Sequence, residues 1–78
     1  MEFHVSQENP IRAQELQDGD EVMVMLITGS LNVRMEHSHK AVPGGSVSVR
    51  LLRPDGKCDR KRARLFFDKR GFLHRVRY

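Results

Sequence analysis

The sequence predicts an all-β fold, either a small five- to six-stranded barrel or a strongly bent antiparallel sheet, with at most one short helical turn. Three observations predict it. Apolar and polar residues alternate in Leu31/Val33/Met35, in Val47/Val49/Leu51 and from Phe72 to Tyr78, which is the period of a half-buried strand. Turn signals break the chain at short, regular intervals. Leu, Ile, Val and Phe make up 21 of the 78 residues, above the roughly 20% below which chains stay disordered. A domain of this length buries only about 60% of its unfolded surface, so the core is expected to be thin. Residues 1–78 are read as one domain. In it, residues 1–20 form an acidic N-terminal strand and loop, and 21–78 form the main sheet with basic C-terminal hairpins.

Phe3 and Val5 alternate with polar neighbours and predict a first short strand. Asn9-Pro10 has the form of a helix start, with Asn9 as N-cap and Pro10 at the first helical position. Only Ile11 and Leu16 are available to face a core before Asp18-Gly19-Asp20 ends the segment, so one helical turn or an irregular loop is expected. Val22 to Ile27 is apolar on both faces, the pattern of a central strand covered on both sides. Gly29-Ser30 offers a tight connection into the alternating strand Leu31 to Met35. Lys40 to Gly45 is a loop, and Val47/Val49/Leu51 resume the alternation against Ser46, Ser48 and Arg50. Pro54-Asp55-Gly56-Lys57 is a strong turn, since proline presets φ and glycine supplies a positive φ. A strand over Arg62 to Phe67 ends in the hairpin loop Asp68-Lys69-Arg70-Gly71, and a last strand runs from Phe72 to Tyr78.

The net charge of +4 conceals a polarity. Residues 1–39 hold two basic and seven acidic side chains, whereas residues 40–78 hold twelve basic and three acidic. Arg50 lies opposite the apolar face of its strand, Arg62 and Arg64 share one face of the next, and Arg75 and Arg77 share one face of the last. If these strands are neighbours, the five arginines form one cluster, with Lys61 and Arg70 in the adjoining turns. Guanidinium forks fit phosphate oxygens bidentately and stack on flat rings. Phe66, Phe67, Phe72 and Tyr78 interleave with them as base-stacking platforms, Phe66 and Phe72 being the candidate stacking groups, a combination with which small β-barrels bind single strands. The competing readings are that the arginines pair with the acidic half, within the monomer or across a homodimer, or that they meet an acidic protein partner. Several of the five aromatics must also fill the core.

Other constellations are weaker. His37 and His39 share a face on a strand, but no further pair completes a four-ligand zinc site. Asp18, Asp20 and Glu21 are read as a turn. Cys58 has no intramolecular disulfide partner, which fits a reducing compartment. There is no nucleophile elbow, phosphate-binding glycine loop or His-Glu-x-x-His, so no enzyme, cofactor or metal is expected. The longest apolar run is six residues against the roughly 20 of a membrane helix. No signal peptide is visible, so the expected location is cytoplasmic with no membrane partner.

From Leu16 to Val76 the order of features resembles the C-terminal β-clip (SAF-like) module of flagellar P-ring assembly chaperones. The resemblance runs through Gly19-Asp20-Glu21-Val22-Met23-Val24, then Gly29, Leu31 and Val33, Ala41, Gly44-Gly45, Val47-Ser48-Val49-Arg50, and Gly71 before Leu73 and Val76. It implies a compact bent β-module and, functionally, an assembly chaperone. The chain departs from that family in its short Ala41–Val47 stretch and its C-terminal arginines. The residues themselves favour a small non-catalytic module that contacts single-stranded nucleic acid or phosphate backbone. The alternative is a protein–protein or homodimerisation module using the charge polarity.

Overall fold

A computed structural model of the chain describes residues 1–6, 10–36 and 40–78. Six strands, β1 (Glu2–His4), β2 (Glu21–Leu26), β3 (Gly29–Met35), β4 (Ser46–Leu52), β5 (Cys58–Phe67) and β6 (Leu73–Arg77), form one antiparallel sheet in the order β1-β6-β5-β4-β3-β2. β1 and β6 are the one neighbouring pair far apart in sequence. The sheet curls into a half-barrel whose two end strands meet where Val5 bridges Leu26. There Ser6 N–H donates to Met25 O at 2.7 Å and Ile27 N–H to His4 O at 3.3 Å. The expected all-β class and bent antiparallel sheet are what the chain adopts. Among the described residues no helix is long and apolar enough to cross a membrane.

Strand alternation builds the core. Val24, Val33, Met35, Val49, Leu65 and Val76 project to the concave side and are at most 1% exposed. Phe3, Ile11, Leu16, Val22, Leu31 and Ala41 pack around them, half-buried. The Pro54–Gly56 turn forms as expected, with Gly56 at φ +85° and Asp55 Oδ1 accepting the Lys57 N–H at 2.9 Å. At the β5–β6 turn Asp68 Oδ1 accepts the N–H groups of Arg70 and Phe72, both at 2.9 Å. Gly71 has φ +91° there, a left-handed backbone that favours glycine, whereas the only group a Cβ would meet is the flexible end of the exposed Gln14 side chain.

Four local expectations need correction. The one short helical turn expected is present, as a 3-10 turn at Ala13–Glu15, and only its start is corrected, lying beyond Pro10; Asn9 lies outside the described residues, as do His37 and His39. Arg12 is extended because it bridges Phe72, with Ala13 N–H to Gly71 O and Leu73 N–H to Ile11 O both at 2.8 Å. Strand pairing there replaces a helix start. β2 is last in the sheet order and covered on one side: Met23 is 57% exposed and Ile27 75%. The β2–β3 turn is Ile27-Thr28, and Gly29 already pairs with Leu26. Finally, Leu73 and Val76 are both buried despite their odd spacing, because the β5–β6 register shifts between Phe66 and Phe67. An extra residue at such a bulge exchanges the two faces of a strand.

Candidate nucleic-acid interface

The outward face of the sheet carries the predicted arginines in cross-strand rows. One row runs Glu21–Arg34–Arg50–Arg62 across β2, β3, β4 and β5. A second runs Ser48–Arg64–Arg77–Glu2 across β4, β5, β6 and β1. A third runs Ser46–Phe66–Arg75–His4. Arg50, Arg62, Arg64, Arg75, Arg77 and Phe66 therefore do share one face. Lys61 does not: it follows the phase of Ala63 and Leu65 and extends the concave side beyond the core. Arg70 and Phe72 sit at the β5–β6 turn, at the far end of β6 from Arg77.

Like charges directly opposite one another destabilise a sheet, and three such pairs occur here, Arg34 with Arg50, Arg50 with Arg62 and Arg64 with Arg77. The acidic half compensates most of this. Glu36, with its side chain 19% exposed, holds Arg50 Nε at 3.0 Å and Arg62 Nε at 3.0 Å, and its second oxygen accepts from Arg62 Nη2 at 3.2 Å. Glu2 faces Arg75 Nη1 at 3.7 Å and Arg77 Nε at 3.6 Å. Glu21 pairs with Arg34, and this hydrogen bond chiefly holds the Arg34 guanidinium above its ordinary range, aided by Cys58 and the Glu21 charge. Arg34 Nη1 also donates to Cys58 Sγ at 3.2 Å, in an open groove of about 480 Å³ shared with Asp18, Glu36 and Arg50. Arg64 donates to Ser46 Oγ at 3.1 Å, and among the described residues no carboxylate lies within ion-pair distance of it.

The two candidate stacking phenylalanines are capped by guanidinium groups. Arg75 lies 4.6 Å over the Phe66 ring and Arg12 lies 5.0 Å over Phe72. Such contacts contribute about 0.5–1 kcal/mol at exposed sites, and a base must displace the arginine or stack on its outer face. Alternation could have placed Arg34 and Glu36 on this face, since they are out of phase with Val33 and Met35. Glu2 as a partner needed the β1–β6 pairing, which no local pattern specifies. The acidic turn is held internally, Asp20 Oδ2 accepting the Gln17 N–H at 2.9 Å.

Glu36 neutralises the most crowded part of the face. Glu36→Gln should lower stability by about 1 kcal/mol once solvent screening at the arginines is allowed for, and Tm by roughly 4–8 °C. Thermal unfolding followed by circular dichroism checks this, and an unchanged Tm would show that the clamp contributes nothing. Asp59 gives a pH signature. The Lys61 N–H, donating to its Oδ1 at 3.3 Å, is the main cause holding its carboxyl below the usual aspartate value. Since the folded value is depressed, the stabilisation is present above the unfolded pKa and is lost as pH falls through the folded one. An NMR titration should find the Asp59 midpoint below that of an unfolded aspartate; an equal or higher midpoint contradicts the contact.

No protein-family model, curated protein or solved structure matches the chain. The likeness to the β-clip module thus rests on the strand and turn positions quoted above.

Proposed function

We propose that this is a non-catalytic binding module for single-stranded nucleic acid, which it holds by phosphate contacts along the outward arginine face. The observation that supports this reading is the charge count across four adjacent strands. Arg34, Arg50, Arg62, Arg64, Arg75 and Arg77 set six guanidinium groups against the three carboxylates of Glu2, Glu21 and Glu36. The β4–β5 hairpin continues the excess, with exposed Arg53, Lys57, Arg60 and Lys61 against Asp55 and Asp59. A bent sheet with such a surplus releases counterions from a phosphate backbone when it binds, and the salt dependence of affinity reports this. The sheet offers no recognition helix for the major groove, which favours single strands over sequence reading in duplex.

The self-association alternative loses support from the same geometry, because Glu2, Glu21 and Glu36 are engaged within the monomer. Fluorescence anisotropy with labelled single strands of about 12 nucleotides and the matching duplex tests the proposal. For about four phosphate contacts, affinity for the single strand should fall roughly 50-fold between 50 and 200 mM salt. Absence of binding at the lower salt would remove the nucleic-acid reading. Sedimentation of the protein alone, showing dimer at micromolar concentration and no oligonucleotide complex, would favour the alternative.

A further inference from the structure

At the end of β6 away from the Phe72 turn, the concave side of the sheet runs past its core into a cleft. Two residues beyond the buried Val76 stands Tyr78, and two residues before the buried Ala63 stands Lys61. With Met1, Leu51 and Arg62 they line a recess of about 430 Å³, within the size range of small-molecule sites. One wall is aromatic. The Tyr78 ring stacks on Phe3 at 5.2 Å between centroids and 23° between planes, and Tyr78 is 48% exposed. The floor, Leu51, is apolar and 9% exposed. The rim is cationic. Among the described residues no carboxylate lies within ion-pair distance of Lys61, and Arg62 joins this rim to the outward arginine face.

A flat apolar slot beside a lysine that makes no ion pair among the described residues, and whose charge reaches Asp59 only at longer range, fits an aromatic ring that carries an adjacent anion. Phe66 and Phe72 are each already covered by an arginine, whereas among the described residues no guanidinium lies over Tyr78, which is held in orientation by Phe3. We infer that the cleft of Tyr78, Leu51 and Lys61 receives one unpaired nucleobase of a bound single strand, stacked on Tyr78, with its neighbouring phosphate on Lys61 and the strand continuing over Arg62 onto the arginine face. This rests on the proposed nucleic-acid function and adds the place where the base is read. Recognition there is by a stacked π-face, so it tolerates any base and needs a base that is out of a duplex.

The test uses the single tyrosine. The chain has no tryptophan, so emission excited at the tyrosine band reports Tyr78 alone. Titration with a single-stranded oligonucleotide should quench that emission, and an abasic phosphodiester strand of equal length should bind about tenfold more weakly without quenching. Tyr78→Ala should weaken the base-bearing strand to the level of the abasic one and leave the abasic affinity unchanged. Tyr78→Phe, which keeps the ring and its stack on Phe3, should retain most of the affinity and serves if the alanine variant unfolds. Equal affinity for abasic and base-bearing strands, or unchanged Tyr78 emission at saturation, would overturn the cleft while leaving the phosphate face standing. No binding of either strand at low salt removes both.

Discussion

Leu65→Ala should destabilise the domain by about 2–5 kcal/mol, the usual cost of emptying a leucine site in a packed core. Leu65 is fully buried in β5, directly opposite Val47 on β4 and Val76 on β6, which are themselves 4% and 0% exposed. Its removal opens a cavity where three strands meet, and these strands curve around the site and are held by hydrogen bonds, which limits collapse. At roughly 0.05–0.15 kcal/mol per residue, a 78-residue domain has only about 4–12 kcal/mol in total. Tm should therefore fall by on the order of 15 °C or more, and the variant approaches global unfolding. Ile27→Ala provides the contrast: Ile27 is larger in hydropathy than many core residues but 75% exposed at the β2–β3 turn, so its loss should cost under about 0.5 kcal/mol. Urea unfolding of the two variants measures the difference. If Leu65→Ala costs no more than Ile27→Ala, the inward face of β5 has been assigned wrongly.

That contrast also shows where sequence and structure part. Alternation located β3, β4 and β5 because one face of each is buried, and a one-residue slip would turn the whole apolar set outward. It also set Arg50, Arg62 and Arg64 outside. Val22 to Ile27 misled because its outward residues Met23 and Met25 are apolar too, so the run carries no phase and reads as a central strand. Its place at the end of the sheet follows from β1 crossing to β6, a pairing separated by some seventy residues and invisible to any local window. The Ile27-Thr28 turn was obscured for a related reason. Glycine marks turns by preference, but here the register that buries Val24, Leu26 and Val33 draws Gly29 into β3.

The charge polarity of the chain has a structural purpose that composition alone leaves open. Three strands rich in arginine side by side would repel one another, and β1, β2 and β3, from the acidic half, bring Glu2, Glu21 and Glu36 to the flanks of the arginine rows. The acidic half thus neutralises part of the basic face and leaves the rest. Among the described residues the remainder lies at Arg64 in mid-sheet and along the β4–β5 hairpin to the Tyr78 cleft, where Arg53, Lys57, Arg60 and Lys61 outnumber Asp55 and Asp59. The proposed path of a strand follows that remainder, from the cleft over Arg62 to Arg64.

Arg64→Glu should separate binding from folding. Arg64 is exposed, its described side-chain contact is to Ser46, and across the ladder it faces Arg77. Reversal removes one cation and adds one anion in the middle of the face, while converting a like-charge cross-strand pair into an attractive one. Each cation engaged with a single strand is worth about fivefold in affinity at roughly 0.1 M salt, so the reversal should weaken oligonucleotide binding by roughly ten- to thirtyfold and flatten its salt dependence. Stability should hold or rise by a few tenths of a kcal/mol, because the new pair with Arg77 is solvent-screened. Glu36→Gln should do the opposite on both counts: a lower Tm, and tighter binding as Arg50 and Arg62 are released toward solvent. Anisotropy and thermal melts on the two variants read all four quantities. Two changes of opposite charge sense on one face, each trading stability against affinity in the reverse direction, are hard to produce by unfolding or by a site elsewhere. Unaltered oligonucleotide affinity in folded Arg64→Glu would place the binding surface away from the outward arginines.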